Sequence, residues 1–201
     1  MAITIGFPKL TIQPLDESFK KKGDPIVIQG DPQKGAMVKA EIKGLSKDPT
    51  KVSGSDIAYY VSRKGVGDVT VDFDVLDLPN DAQSIILGRR VSDNGVQYTG
   101  LDTEAPYCSI LAEAADTQGN TALVGFFCGV FSNDGETLNT QEEGETFKPD
   151  PESYKFTATG SKTGVNKGEY MAKYAGDKEA AITEVRNAVL LESTAPEGNK
   201  G

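Results

Sequence analysis

The chain contains no histidine and no tryptophan, and it has only two cysteines among its 201 residues. Without histidine, Ser-His-Asp and Cys-His nucleophile arrangements cannot form, and His-ligated zinc or iron sites are excluded. The sequence also has neither a GxxxxGKS/T phosphate-binding loop nor a GxGxxG turn opening a helix. An enzyme would have to rely on carboxylates, tyrosines or lysines, and no carboxylate pair stands out as in glycoside hydrolases. We therefore expect no enzymatic activity, no cofactor and no metal ion.

Long apolar runs are also missing. No segment approaches the roughly 20 consecutive apolar residues that span a bilayer, so we expect no membrane partner. The first ten residues, MAITIGFPKL, lack the basic region and the apolar core of a secretory signal peptide. The protein is therefore expected to begin its life in a cytoplasm.

The two cysteines, Cys108 and Cys128, are too few for a disulfide scaffold. If the turn between them is centred on residues 117–119, they lie opposite one another on a hairpin, where facing side chains come into contact. The favoured interpretation is that both are small buried residues that stay reduced in a cytoplasm. A disulfide is the alternative.

Charge is distributed unevenly along the chain, whose net charge is −9. Residues 1–100 hold 13 acids and 13 bases, whereas residues 101–201 hold 17 acids and 8 bases. The longest acidic stretch, residues 133–152, carries seven carboxylates against one base, Lys148. A strongly negative region repels nucleic acid and acidic membranes. This charge distribution excludes a conventional nucleic-acid-binding protein.

Alternation of apolar and polar residues predicts a mainly β protein, and 22 glycines and 10 prolines favour many turns. Residues 69–75 alternate strictly, which indicates one buried and one wet face. Residues 107–115 and 121–131 flank the turn sequence DTQGN and predict a hairpin. Its second strand is nearly continuously apolar, which predicts burial on both faces. Further strands are predicted at 3–5, 10–12, 37–43, 57–61 and 153–159, with the first two expected to pair.

Two helices interrupt the strand pattern. The sequence LPND at 78–81 favours a helix start, because proline and an acid suit the first turn, and Gly88 is a natural end. A second helix is predicted from Asp177 to Leu190. It follows a polar, glycine-rich stretch, so we expect it to dock at a boundary and not in the core.

The predicted elements indicate one domain in two parts. Residues 1–160 form the β domain. Residues 161–201 supply a glycine-rich connector, a short helix and a flexible C-terminal tail belonging to the same domain.

Between Asp68 and Gly160 the chain resembles the major tail protein, or tail tube protein, of long-tailed phages that infect Gram-positive bacteria. The resemblance rests on four segments in order: LDLPNDAQSIILGRRVSDNG, TEAPYCSILAEAADTQGNTALVGFFCGVFS, the acidic GETLNTQEEGETF and the closing strand YKFTATG. They cover roughly the middle half of the chain and include no catalytic motif. The cysteines at 108 and 128 are not part of the family pattern.

The resemblance implies two packed antiparallel β-sheets with one flanking helix, in subunits that form rings, usually of six copies. Rings stack into a tube that encloses a tape measure protein and later conducts DNA as cargo that is not bound. The tube also meets tail terminator and distal tail proteins. It implies location in the virion tail, with assembly in the host cytoplasm.

The resemblance also suggests roles for two groups of acids. Asp72 and Asp74 share the face of their strand opposite the apolar one, and they are predicted to line the channel. The alternative is an ordinary solvated strand face.

The acidic loop is predicted to contact neighbouring subunits or the next ring through Asp134, Glu136, Glu142, Glu143 and Glu145. The alternative is a flexible surface loop. Calcium binding is disfavoured because the stretch lacks the ligand spacing of an EF-hand.

A different class of function stays open from the residues alone. A monomeric bacterial ligand- or carbohydrate-binding β-sandwich module would share this strand pattern. The absence of tryptophan argues against sugar binding, because sugar platforms favour large aromatic faces. The expected lack of a signal peptide argues in the same direction.

Overall fold

A computed structural model describes residues 4–32, 34–54, 57–62, 64–137, 140 and 149–192. Within these residues it contains twelve strands and two helices. The strands are β1 (Thr4–Pro14), β2 (Ile26–Ile28), β3 (Ala36–Lys43), β4 (Thr50–Gly54), β5 (Ile57–Ser62), β6 (Thr70–Leu76), β7 (Arg90–Val91), β8 (Gln97–Tyr98), β9 (Tyr107–Asp116), β10 (Thr121–Ser132), β11 (Glu152–Thr159) and β12 (Met171–Gly176). The helices are α1 (Asn80–Leu87) and α2 (Glu179–Leu190).

Eight strands form one antiparallel sheet in the order β2-β1-β9-β10-β11-β6-β3, with β12 also paired to β10. Strand β10 is the branch point. One of its sides pairs with β9, and the other pairs first with β12 over residues 121–126 and then with β11 over residues 128–132. The β4-β5 and β7-β8 pairs form two small hairpins outside this sheet.

The large sheet packs around one main apolar core. Phe156 of β11 lies at its centre, with ring centroids 6.1 Å from Phe126 and 5.0 Å from Phe131 of β10. Strand β6 adds alternate residues from its buried face, and β1, β2 and β9 add Leu10, Ile12, Ile28, Cys108 and Ile110. The predicted mainly β fold with two packed antiparallel layers is confirmed. The layers are two halves of one open sheet, because β10 is hydrogen-bonded to strands of both.

Helix α1 flanks this core as predicted. It starts after Pro79 and ends at Gly88, which adopts the left-handed conformation with φ of 66°. A Cβ atom on Gly88 would lie 1.8 Å from the carbonyl oxygen of Glu104, so only glycine fits. Ala82 and Ile86 point into the core.

Helix α2 covers the outer face of β9 and β10. Leu111 and Leu123 are fully buried there against Ile182 and Val189. Gly125 lets the helix approach closely, because a Cβ atom on it would lie 2.5 Å from a Val189 methyl group. The predicted burial of β10 on both faces is confirmed. The helix packs over these residues to form a second, smaller apolar core. It is therefore buried more deeply than the polar residues around it predicted.

The N-terminal and C-terminal strands differ from the prediction. Residues 4–5 and 10–12 do not pair with each other but belong to one strand, β1, with an irregularity between Ile5 and Lys9, and residue 3 of the first predicted run lies outside the described residues. The extra residues of β1 form a bulge at this point, and Gly6 within it has a left-handed backbone with φ of 73°. Strand β12 lies in a region where no strand was predicted, since glycine and polar residues mask its alternation.

Cys108 and Cys128 are free and buried. An irregularity between Phe126 and Gly129 shifts the register, so Cys108 pairs with Gly129 and not with Cys128. Burial, with a smaller contribution from Cys128, raises the pKa of the Cys108 thiol to about 12. A thiol in this environment stays protonated and unreactive near neutral pH.

Glu113 of β9 forms ion pairs with Lys9 of β1 and Arg186 of α2, and we call these three residues the charge triad. The Glu113 carboxylate accepts hydrogen bonds from Lys9 Nζ at 2.7 Å and Arg186 Nη2 at 2.6 Å. Burial alone would raise the pKa of Glu113, but the two cations outweigh it and lower that pKa. The triad therefore stabilises the fold above the unfolded-state pKa of Glu113, and this contribution is lost as pH falls through the lowered folded-state value.

Replacing Glu113 with glutamine is expected to lower the free energy of unfolding by about 1.5–3 kcal/mol at neutral pH, because two charge-assisted hydrogen bonds are weakened. The difference from wild type should be smaller at pH 3 than at neutral pH, because the contribution of the ionised carboxylate is lost as pH falls below about 4.3, the ordinary glutamate pKa, towards the lowered folded-state pKa. Urea unfolding at both pH values measures this. Glu41→Gln, in an exposed ion pair, is the control and should cost under about 1 kcal/mol. An equal loss at both pH values would contradict the triad's electrostatic role.

Candidate functional site

The exposed face of β6 lies between β3 and β11 at one end of the large sheet. Val71, Phe73 and Val75 are buried, and Asp72 and Asp74 alternate with them on the opposite, partly exposed face. Strict alternation follows from the pleat of a strand, whose successive side chains point to opposite faces. The sequence therefore placed these two acids correctly on one surface.

The neighbouring strands bring lysines to the same surface. Lys43 of β3 donates to the Asp72 carboxylate at 2.7 Å and lies 3.4 Å from Glu41. Lys39 pairs with Glu41 at 2.8 Å, and Lys155 of β11 stands directly opposite Asp72 in the register. This surface, hereafter the charged face, holds three acids and three lysines: Glu41, Asp72, Asp74, Lys39, Lys43 and Lys155.

Mutual pairing on the charged face shifts the ionisation of its members. The hydrogen bond from Lys43 lowers the pKa of Asp72, and the same bond raises the pKa of Lys43. Lys39 likewise lowers the pKa of Glu41. The three carboxylates and the three lysines of the charged face are equal in number, so their opposite charges balance. The charged face is therefore close to neutral as a whole.

Strand β3 forms an edge of the sheet. It pairs with β6 on one side and, within the described residues, with no strand on the other. Its Val38 side chain is 53% exposed, next to an irregularity between Met37 and Lys39. An edge strand presents unpaired backbone N–H and C=O groups, which can accept a strand from another molecule.

The acidic stretch at residues 133–152, hereafter the acidic segment, begins where β10 ends. The Asn133 side chain accepts a hydrogen bond from the Gly135 amide at 2.9 Å and donates to the Ser153 carbonyl at 3.3 Å. Asp134 and Glu136 are exposed there. Glu142, Glu143 and Glu145 lie outside the described residues. The described part of the segment is thus held against β11 at its start.

Arg89 connects this acidic segment to helix α1. Its guanidinium group donates to Glu136 at 3.2 and 3.3 Å, to the Gln83 side-chain oxygen at 3.2 Å and to Gln97 at 3.1 Å. The arginine side chain is only 16% exposed. It therefore joins the end of α1, the β7-β8 hairpin and the start of the acidic segment.

Gln83 extends the same network into the core. Its amide nitrogen donates to the Tyr154 hydroxyl at 2.8 Å, and that hydroxyl in turn donates to Glu152. Burial, reinforced by the Glu152 hydrogen bond, raises the pKa of Tyr154 above its ordinary value. Tyr154 is therefore neutral and acts as a buried donor. Sequence analysis missed this network, because its members lie up to 71 residues apart and share no local pattern.

The described residues contain no group of three or more His, Cys, Asp or Glu side chains arranged to hold a metal ion. A groove of about 300 Å³ lies beside α2, and its lining includes Phe127, Lys162, Asn187 and Glu192. Neither described helix is long and apolar enough to cross a membrane.

The sequence matches the family model described as phage tail tube protein over residues 11–197. The match extends well beyond the segment that carries the resemblance, and includes β12 and α2. The chain therefore belongs to the phage tail tube protein family, whose members are structural proteins of the virion tail. Searches of curated proteins and of solved structures find no match to this chain.

Proposed function

We propose that this protein is the subunit of a phage tail tube and assembles into stacked rings, each of six copies, around a central channel. The observation that carries the proposal is the family match over residues 11–197. The open eight-stranded sheet supports it, because an open sheet can be completed by strands of neighbouring copies.

Within a ring, the β3 edge is the proposed joining surface. Pairing it with a strand of the next copy would satisfy its unpaired backbone groups. Val38, near the start of β3, and Leu45, just after its end and 46% exposed, would lose contact with water in the same step. Repetition of one head-to-tail contact closes a ring when the rotation between copies divides a full turn.

The charged face is the proposed channel lining, with Asp72 and Asp74 among the lining acids. Two of its three lysines, Lys39 and Lys43, are paired with carboxylates, and Lys155 stands opposite Asp72, so few of their charges are free for phosphate groups. Weak attraction suits a channel that houses a tape measure protein and later conducts DNA, since each additional phosphate contact would retain the genome.

The acidic segment is the proposed contact between rings. Arg89 and Asn133 hold the start of the segment in place through Glu136 and Gly135. We propose that Asp134, Glu142, Glu143 and Glu145 face the neighbouring ring, together with Glu136 once its Arg89 contact is shared.

The role is structural and not catalytic. The tail terminator and distal tail proteins are the proposed partners at the two ends of the tube. Assembly takes place in the host cytoplasm, and the finished location is the virion tail.

Negative-stain electron microscopy of the purified protein over a series of concentrations, with light scattering on the same samples, tests the assembly. We expect rings or hollow tubes with a central pore, whose proportion grows with concentration. A monomer at every concentration, including after addition of tail initiation complexes, would favour the binding-module alternative.

Deleting residues 133–145 is expected to leave a folded subunit that does not polymerise into tubes, because the inter-ring contact is lost. Circular dichroism checks the fold, and electron microscopy checks assembly. A variant that keeps the segment length but carries Glu142→Gln, Glu143→Gln and Glu145→Gln separates the contribution of charge from that of length. Normal tubes from the deletion variant would remove the segment from the assembly mechanism.

A further inference from the structure

The β7-β8 hairpin, together with the residues that follow it to Leu101, exposes apolar side chains. Val91, Val96 and Tyr98 are 44%, 49% and 45% exposed, and Leu101 is fully exposed. Four large apolar side chains within eleven residues form a concentration that single scattered surface residues do not reach. We call these four residues the hairpin patch.

Polar side chains anchor this hairpin to the body of the protein. Gln97 donates to the Asn80 carbonyl of α1 at 3.0 Å and accepts from Arg89 at 3.1 Å. Gly88, before the hairpin, packs directly against the backbone at Glu104, after it. Gln97 therefore faces the body of the protein, and Tyr98 lies with Arg90 on the opposite face of the hairpin. A fixed base holds the hairpin patch towards solvent.

Arg90 adds a cation to the hairpin patch. Its guanidinium carbon lies 4.0 Å from the centre of the Tyr98 ring, a cation–π arrangement. No salt bridge in the described part of the chain joins Arg90 to a carboxylate. The guanidinium group is thus held in place and still able to pair with an acid of another molecule.

We propose that the hairpin patch is a contact surface for a second copy of this chain. Tyrosine and arginine beside aliphatic residues is the composition typical of energetically dominant interface residues. Each copy carries a net charge of −9, so copies repel one another except where a cation meets an acid. Arg90 supplies such a cation beside Tyr98 of the hairpin patch. This inference rests on the proposed function and adds a third assembly surface to it.

A double variant, Val96→Asp and Leu101→Asp, tests the inference against wild type. We expect unchanged circular dichroism and thermal midpoint, and a concentration for tube formation raised at least about tenfold. Val165→Asp is the matched control, because Val165 is also fully exposed but lies outside the hairpin. It should assemble as wild type does. Arg90→Glu, a change at an exposed side chain, should weaken assembly too, with Arg90→Lys retaining most of it.

Photocrosslinking supplies a readout that does not depend on the stability of the double variant. A benzoylphenylalanine introduced in place of Leu101 should give a covalent dimer of the purified protein on irradiation, and the same residue in place of Val165 should not. Wild-type assembly with unimpaired double and Arg90→Glu variants, or without a crosslink from position 101, overturns this inference and leaves the proposed function intact. A wild type that never assembles overturns both.

Discussion

Replacing Phe156 with alanine is expected to lower the free energy of unfolding by about 3–5 kcal/mol. The ring is fully buried and contacts Phe126 and Phe131 at the point where the two halves of the sheet meet. Since single domains are stable by only about 5–15 kcal/mol, the variant would lose a large part of its total stability.

The cost should be large because the site cannot collapse around the missing ring. Gly129 lies beneath it, and a Cβ atom there would be 2.4 Å from the Phe156 ring, so β10 has no side chain at this position to fill the cavity. Urea unfolding followed by far-UV circular dichroism measures the loss. Leu45→Ala, at an exposed position, should change stability by less than about 0.5 kcal/mol. A loss from Phe156→Ala of similar size would mean that the core lies elsewhere.

Replacing Gly88 with alanine is expected to cost about 2–5 kcal/mol, from about 1–2 kcal/mol for a left-handed backbone and about 1–3 kcal/mol for overpacking. The new methyl group would lie 1.8 Å from the Glu104 carbonyl oxygen, so the chain on one side has to move. This movement would separate the end of α1 from the base of the β7-β8 hairpin, and we expect tube assembly to fall with it.

Gly95 provides the matched control for Gly88. It also has a positive φ, 81°, but no atom lies within 4 Å of a Cβ built on it. Gly95→Ala therefore measures the backbone strain alone, and the difference between the two variants measures the steric contact. Thermal unfolding of both, with hydrogen exchange at Arg89, is the measurement. Equal effects would show that the contact with Glu104 relaxes without cost.

Local patterns predicted the elements that form from neighbouring residues. The hairpin of β9 and β10 follows from two apolar runs around DTQGN, and Asp116 accepts hydrogen bonds from the Gln118 and Asn120 amides there at 2.8 Å. Helix α1 follows from Pro79 and Gly88 at its ends. In each case the physical cause lies within a few residues, so the sequence displays it directly.

Contacts between distant segments could not be predicted in this way. The lysines that balance Asp72 come from β3 and β11, and their alignment depends on strand register. Arg89 meets Glu136 across 47 residues. The acids Asp72 and Asp74 were placed on the correct face, but the near-neutral charge of that face emerges only when three strands are brought together.

The branched pairing of β10 has a consequence for how the chain folds during synthesis. Strand β9 leaves the ribosome just before β10, but the two partners on its other side come later, and β12 ends only at Gly176. Until then, one side of the most apolar strand has unpaired amides and carbonyls beside an incomplete core. Such late, long-range pairing slows folding and exposes aggregation-prone surface. Newly made chains are therefore prone to aggregate with one another until the last quarter of the chain, which supplies β11 and β12, has been synthesised.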